Sequence, residues 1–482
     1  MTFNPDVAVI LVYLLVLLGV GYWSSRRIND SKDYIIAGGR ISFPVLLGTL
    51  IGTSIGAAST MGKAGKAYEI GIGLFFATMA YAVGLILFGF MSPVLRRIKV
   101  WNIPDALFLR YGNGVRMTFA VILVFSVTAL FGTQLIAVGL AITSIMGSYG
   151  ITYTEAIVFA GVIMVLYTMM GGLLAVAYTD VIQMVIMIAA IGILLPVFVV
   201  YDVGGMAAAS YLKPPPGNFW GGLTPAYIVS MVLIDLPFCL IDPSLWQRAA
   251  AADSAGSIKK GMFVTGGVYI FWSLNVVFLG IAASHILPGL PNMPTGGDNA
   301  IPGLILHYMP VGLRGLCLAA MMAVMMSTAD TVLLIAGSTF SRDIVRPFRP
   351  NISDQSELFI ARMFILVIGV FGLVFALMMT GLFDLMLLAF AIFVSGGFVP
   401  VMAALFWTKA TKQGAIVSSA GAFITVVSLY GMKEAHILPI WIEPIIAAMV
   451  ISLILMVMVS LATYRPETAT IRLMDRNLEP EL

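Results

Sequence analysis

Long apolar runs recur along this chain with so little between them that they constrain the fold more than any single motif. The run at 313–340 is typical, and others lie at 7–22 and 41–70 and near 72–94, 115–147, 151–170, 174–201, 224–246, 261–286, 359–380, 383–407, 413–431 and 441–463. A helix needs about 20 predominantly apolar residues to cross a bilayer, so these runs read as about 13 spans. Hydrocarbon offers backbone groups no hydrogen-bond partner, which leaves only helices or closed barrels as spanning structures. The weak residue-by-residue alternation of a barrel strand is absent. The expectation is an all-α polytopic membrane protein whose first partner is the lipid bilayer.

Composition narrows the function classes. Hydrophobic residues make up 60% of the chain and charged ones 10%, against about a quarter charged in a soluble domain. Little length remains for a large soluble domain. Cys239 and Cys317 both sit in apolar segments, which suggests neither a disulfide framework nor a metal cluster. No Walker-type glycine loop is present, which argues against an ATP-driven pump. No nucleophile and base pair suggests an enzyme, and no nucleic-acid partner is expected.

Orientation follows from the basic residues. The run at 7–22 comes after Asp6 and before Arg26 and Arg27, the reverse of a cleaved signal peptide. It reads as a retained helix with its N-terminus outside. Alternate connections then carry Arg96, Arg97, Arg110, Arg116, Arg248, Lys259, Lys260, Arg342, Arg346 and Arg349 on the inside, whereas the outer set holds Lys213, Arg314 and Lys433. This imbalance is the positive-inside pattern of a cell-membrane protein. The segments around 203–222 and 287–310 fall outside, with Pro214, Pro215, Pro216, Pro288, Pro291 and Pro294 marking irregular turns. The tail 465–482 is short, charged and expected in the cytoplasm.

Polar side chains at membrane depth locate the candidate chemistry. In the stretch Val324-Met325-Met326-Ser327-Thr328-Ala329-Asp330-Thr331, helical spacing puts Ser327, Asp330 and Thr331 on one face, with Thr328 beside it. Hydroxyls and a carboxylate are hard oxygen ligands suited to a small cation such as sodium. Hydroxyls alone would simply bond back to helix carbonyls; an intramembrane carboxylate one turn on shifts the reading to a functional site. The run at 41–70 contains Gly48, Gly52 and Gly56 among Thr49, Thr53, Ser54, Ser59 and Thr60. It fits either an interrupted helix with freed carbonyls or close packing through small residues. Lys63 and Lys66 follow, and each must snorkel, pair with an acid or meet an anionic ligand.

Further along, Gly171 and Gly172 end one span, and Thr179, Asp180 and Gln183 carry polar groups into the next. Asp180 is either a helix-start residue or a cation ligand facing Ser327. Asp235 and Asp242 flank Pro237, a residue that bends or breaks a helix. Asp235 is a candidate for substrate contact, and Asp242-Pro243 for a helix cap or a partner of Arg248. Gln134, beside Thr133, either lines the same cavity or bonds between helices.

The motifs Ala37-Gly38-Gly39-Arg40, Gly171-Gly172-Leu173-x-Ala175 to Thr179-Asp180-x-x-Gln183, Trp246-Gln247-Arg248 and Ser327-Thr328 occur in order along the chain. In these the chain resembles the sodium:solute symporter family. The resemblance implies a leucine-transporter-like core of two inverted five-helix repeats, at about 41–201 and 222–407, each opening with a discontinuous helix. A helix in 1–40 would precede the core, 202–221 would connect the repeats outside, and two helices in 408–464 would follow. It also implies a sodium site made by the backbone carbonyls of Gly52, Ile55 and Val324 with the side chains of Ser327 and Thr328. A second sodium site would map to Asp180, Ser327, Asp330 and Thr331. Asp330 stands where a hydroxyl residue is usual in the family, and three outcomes are open: a tighter second cation site, a proton, or a pair with Lys63. The substrate would lie near Thr53, Ser54, Ser59, Thr78, Gln134, Asp235 and Ser395, with an amino acid or carboxylate favoured.

The expected function is sodium-coupled symport of a small organic solute by alternating access. Proton-coupled symport is the alternative within that class. A transporter-like sensor or a channel is the alternative outside it; a sensor needs an output domain, and a channel conducts without requiring a solute.

Overall fold

The computed structural model describes residues 4–465 apart from 29, 99, 148–149, 205–209, 213–217, 222, 291–295, 379–381 and 440–441. Nearly all of the described chain is helical. Helices α1 (Pro5–Ser25) and α2 (Ser31–Ile36) lead into α3 (Phe43–Ser54) and, after a break, α4 (Lys63–Ile70). Next come α5 (Gly73–Ala77), α6 (Ala80–Arg97), α7 (Ile103–Tyr111), α8 (Asn113–Met146), α9 (Tyr153–Met187) and α10 (Leu195–Asp202). The second half holds α11 (Pro225–Leu240), α12 (Pro243–Ala251), α13 (Ala255–Ile286), α14 (Ala300–Tyr308), α15 (Leu313–Thr339), α16 (Asp354–Met378), α17 (Leu382–Phe406), α18 (Lys412–Glu434) and α19 (Pro444–Thr463).

Among the described residues, 11 helices are long and apolar enough to cross a membrane, or 12 when the bent pair α3 and α4 is taken as one span. One of the 11, Tyr153–Asp202, runs for 50 residues. A straight helix of that length would reach about 75 Å, more than twice the hydrocarbon thickness. It is interrupted at Gly172, whose φ of 53° and ψ of −163° lie outside any helix. The expected count of about 13 is reached if this segment crosses twice.

Burial shows which helix the others surround. The apolar window of Leu313–Phe348 is 94% buried, whereas those of Pro5–Ser25, Asp354–Met378 and Lys412–Lys433 are 28% buried. Helix α15 packs against α1, α3, α8, α9 and α16, so its polar stretch lies at the centre of the bundle. Its start is fixed by Asp6 on α1, whose Oδ1 accepts from the backbone N–H groups of Gly312 and Gly315 at 2.7 Å each. A carboxylate there satisfies donors that the first helical turn leaves unpaired. Its other end is held by charge. Arg116 bonds Asp343 at 2.7 Å and Asp105 at 3.3 Å, while Asn102 donates to Asp343 Oδ2 at 2.9 Å.

Besides the interruption at Gly172, two further breaks stand out among the described residues, and both follow from local sequence. Helix α3 starts after Ser42 with Pro44 in its first turn and ends at Ile55, whose φ of −113° and ψ of 100° are extended. The chain resumes in a π-wound turn, Ala58–Gly62, that continues into α4 at 57° to α3. In the other case α11 keeps Pro237 inside it and stops at Leu240. Asp242 then caps α12, its carboxylate accepting from Ser244 N at 2.8 Å with Pro243 at the first helical position.

The segment 287–310, where the prolines mark expected irregular turns, is partly helical. It contains α14, and within it Pro288 lies in a turn. Pro214 to Pro216, Pro291, Pro294 and Lys213 lie outside the described residues, as does the tail from 466 onward.

Candidate functional site

The end of α3 meets the middle of α15 at two glycines. A Cβ on Gly52 would lie 2.9 Å from Ser327 Oγ, and one on Gly56 would lie 2.7 Å from Thr328 Oγ1. Any side chain there would push the two hydroxyls away, so the glycines let backbone and hydroxyls share one space. The helical ladder closes with Ile55 N–H on Ile51 O at 3.2 Å. Gly56 N–H then turns to Ser59 Oγ at 2.9 Å, and Ala57 N–H turns to Gln134 Oε1 at 3.0 Å. The carbonyls of Gly52 and Thr53 are therefore not taken up by the next turn. Thr328 Oγ1 is buried and without a hydrogen-bond partner among the described residues, although buried hydroxyls are normally bonded. Val324 and Ser327 are fully buried and Ile55 nearly so. Carbonyls that the next turn does not take up and a hydroxyl without a partner are hard oxygens, the donor type that suits a small cation such as sodium.

Asp180 stands beside this group, eight residues past the break at Gly172, and it caps no helix. It is fully buried, accepts from Ser327 Oγ at 2.5 Å, and also accepts from Thr49 Oγ1. Asp180 thus faces Ser327 directly, and the structure gives it a hydrogen bond there rather than a helix start.

Around Asp180 the positive charge is Arg248. Its Nη2 lies 3.4 Å from Asp180 Oδ2 and donates to Thr331 Oγ1 at 2.9 Å, while Nε donates to Thr49 Oγ1 at 2.9 Å. Both residues are fully buried. The sequence reading put Arg248 in an inner connection as a possible partner of Asp242; instead α12 carries it to the centre, and Asp242 serves as the cap of that helix. The signal was available in Asp242-Pro243, since a helix starting there directs Arg248 back into the bundle.

Asp330 does not join Asp180, Ser327 and Thr331. Its Oδ1 accepts from Thr168 Oγ1 at 3.0 Å, and its Oδ2 is buried without a partner among the described residues. Sequence spacing groups Asp330 with Ser327 and Thr331, but in the packed bundle Ser327 and Thr331 join the Asp180–Arg248 pair while Asp330 turns to Thr168. Pairing of Asp330 with Lys63 is likewise not found, because Lys63 Nζ donates to Tyr269 OH at 3.2 Å and Ser273 Oγ at 3.0 Å. Lys66 pairs with Glu69 at 2.9 Å near the surface.

A central cavity opens next to the break. Thr53, Ser54, Ser59, Thr78, Gln134 and Asp235 line it, as expected, together with Thr328, Thr331 and the unforeseen Tyr81 and Tyr269. Gln134 lines the cavity and also holds the broken helix through Ala57. Ser395 departs from its expected role: it is fully buried, bonds back to Ile392 O at 3.3 Å and does not line the cavity. Its neighbours on α17, Phe390 and Phe393, form the apolar wall instead. Among the described residues no group of three or more His, Cys, Asp or Glu gathers to hold a metal ion.

Comparison with known proteins bears on this arrangement. Residues 34–421 match the sodium:solute symporter family. The chain is 27% identical over 459 residues to the sodium/glucose cotransporter 4 of Danio rerio, covering 85% of this chain and 69% of that protein. It is 25% identical over 456 residues to the sodium/glucose cotransporter of Vibrio parahaemolyticus, covering 86% and 82%. In structure it is similar to a Na+-coupled sialic acid symporter in a substrate-bound, outward-open state, with a TM-score of 0.77 at 19% identity over 96% of this chain and 98% of that one. This last likeness concerns the fold.

Proposed function

The chain belongs to the sodium:solute symporter family and is a sodium-coupled symporter, and from that premise we propose where its coupling resides and what kind of solute it carries. Sodium binds between the carbonyls of Gly52, Ile55 and Val324 and the side chains of Ser327 and Thr328. The observation that carries this reading is the buried, unpartnered Thr328 Oγ1 set against the open end of α3. The solute binds in the adjoining cavity, near Thr53, Ser54, Ser59, Thr78, Gln134 and Asp235, and is a small organic molecule, with an amino acid or carboxylate favoured.

The two broken helices open two inverted repeats, 41–201 and 222–407, that move against each other around the site. Sodium that bridges α3 and α15 favours one arrangement of these repeats and orders the cavity for solute. Coupling requires that each ligand bind one state better than the other, since equal affinity shifts nothing. With the N-terminus outside and the C-terminus in the cytoplasm of the cell membrane, a potential of 100 mV adds about 2.3 kcal/mol per charge to uptake.

Arg248 already supplies a positive charge to Asp180, which favours a single sodium. A second sodium on Asp180, Ser327, Asp330 and Thr331 would have to displace the guanidinium. One observation favours a second reading for Asp330 alone: its unpartnered Oδ2 suits a bound proton. Uptake of a solute panel into proteoliposomes under imposed sodium or proton gradients separates these ideas. Accumulation driven by sodium and weakened in Ser327→Ala and Thr328→Ala is expected. Sodium-driven uptake that both variants leave unchanged would reject the site.

A further inference from the structure

Lys63 and Asp235 are charged groups of the cavity that neither the coupling site nor a helix cap uses. Lys63 is 2% exposed and Asp235 is 6% exposed, and both line the cavity. Lys63 Nζ is held by two neutral oxygens, Tyr269 OH and Ser273 Oγ, and makes no ion pair among the described residues. Asp235 accepts no hydrogen bond among the described residues, and Lys63 is the charged group whose field reaches it. Asp242 also lines the cavity, but its carboxylate is engaged by Ser244 N at 2.8 Å. A buried cation and a buried anion that face a common space without touching are costly unless something completes them.

The rest of the cavity wall says what kind of body lies between the two charges. Phe238 and Phe390 stack with ring centroids 3.7 Å apart, and Phe393 and Met386 continue the same apolar surface. On the other side Tyr81 and Tyr269 pack with centroids 4.6 Å apart, which holds the Tyr269 hydroxyl that positions Lys63.

We propose that Lys63 and Asp235 form a charge frame for a zwitterion, with the anionic group of the solute on Lys63 and its ammonium group on Asp235. The apolar body rests against Phe238, Phe390 and Met386. The proposal deepens the symporter reading and rests on it: it names both charges of the solute and the residue that takes each. A neutral polyol would leave the two buried charges to answer each other only across the cavity. A simple carboxylate would answer only Lys63.

The test uses the full-length protein, purified in detergent, with the thermal unfolding midpoint followed in sodium chloride and in choline chloride. The probes are L-leucine, β-alanine and γ-aminobutyrate as zwitterions, L-leucinamide as the amine alone, 4-methyl-2-oxopentanoate as the acid alone, and galactose as a neutral polyol. At least one zwitterion is expected to raise the midpoint in sodium, with the singly charged probes weaker by about tenfold or more, the range for a lost charge-assisted bond. Lys63→Gln is expected to abolish discrimination between L-leucine and L-leucinamide. Asp235→Asn is expected to abolish discrimination between L-leucine and 4-methyl-2-oxopentanoate. Sodium alone should still stabilise both variants, which shows that they are folded. Binding of galactose, absence of a shift with every zwitterion, or variants that keep both discriminations would overturn the proposal. Zwitterion selectivity that persists equally in choline would instead reject sodium coupling and leave the charge frame standing.

Discussion

Two pairs of buried opposite charges lie near the break in α3, and only one of them is closed. Arg248 and Asp180 approach to 3.4 Å, with Thr49, Thr331 and Ser327 taking up the remaining donors and acceptors. Lys63 and Asp235 instead look into a cavity, one held by neutral hydroxyls and the other without a hydrogen bond among the described residues. The difference separates architecture from recognition. A closed pair binds helices together and has nothing left to offer a ligand, whereas an open pair costs stability in the empty protein and recovers it on binding.

Breaking the closed pair should have the largest effect. Arg248→Met leaves Asp180 buried without its cation, and a loss of about 3–5 kcal/mol is expected. Thermal unfolding of the purified protein measures it, and partial recovery in Arg248→Met with Asp180→Asn would show that the loss comes from the stranded charge. A fully stable single variant would mean that the pair contributes no architecture.

The hydroxyls that face the break come next. Ser327→Ala and Thr328→Ala are each expected to raise the sodium concentration needed for half-maximal stabilisation by about tenfold, or roughly 1.4 kcal/mol. The midpoint in choline should change little for Thr328→Ala, whose hydroxyl bonds nothing among the described residues, and somewhat more for Ser327→Ala, which loses its bond to Asp180. Equal midpoints in choline would erase that distinction.

The open pair should tolerate its own removal. Lys63→Met combined with Asp235→Asn is expected to shift unfolding of the solute-free protein by less than about 1 kcal/mol, or to stabilise it, because burying apolar groups is no worse than burying unpaired charges. A large loss would show that these residues brace helices as Arg248 does. The smallest effect is expected at Ser395, which bonds back to its own helix outside the cavity. Ser395→Ala should leave solute affinity unchanged and cost less than about 0.5 kcal/mol.

Much of this frame can be read along the chain because its causes are local. The apolar runs announce membrane helices, the glycines around Gly52 and Gly56 mark a place for a break or for close packing, and Asp242-Pro243 offers a new helix start. Polar residues in the middle of α15 mark the place proposed for the ion. The partners of those residues are another matter. Arg248 meets Asp180 across 68 positions of sequence, and Thr168 meets Asp330 across 162. Helical spacing gives the face on which a side chain starts, but the neighbouring helix decides where it ends. Ser395 is grouped with the cavity residues for the same reason: its place on α17 is legible, and which face of that helix meets the cavity is not.

The sequence by itself therefore determined the class of fold, the places where a helix could break and the oxygen-rich stretch in the middle of α15, since hydrocarbon punishes every exposed backbone group and every unexplained polar side chain. Only the tertiary structure decided that Arg248 closes on Asp180, that Asp330 turns to Thr168, and that Lys63 and Asp235 stay apart. Those outcomes depend on a few ångströms between helices remote in sequence, a distance over which the energy of a buried charge changes by more than any local propensity.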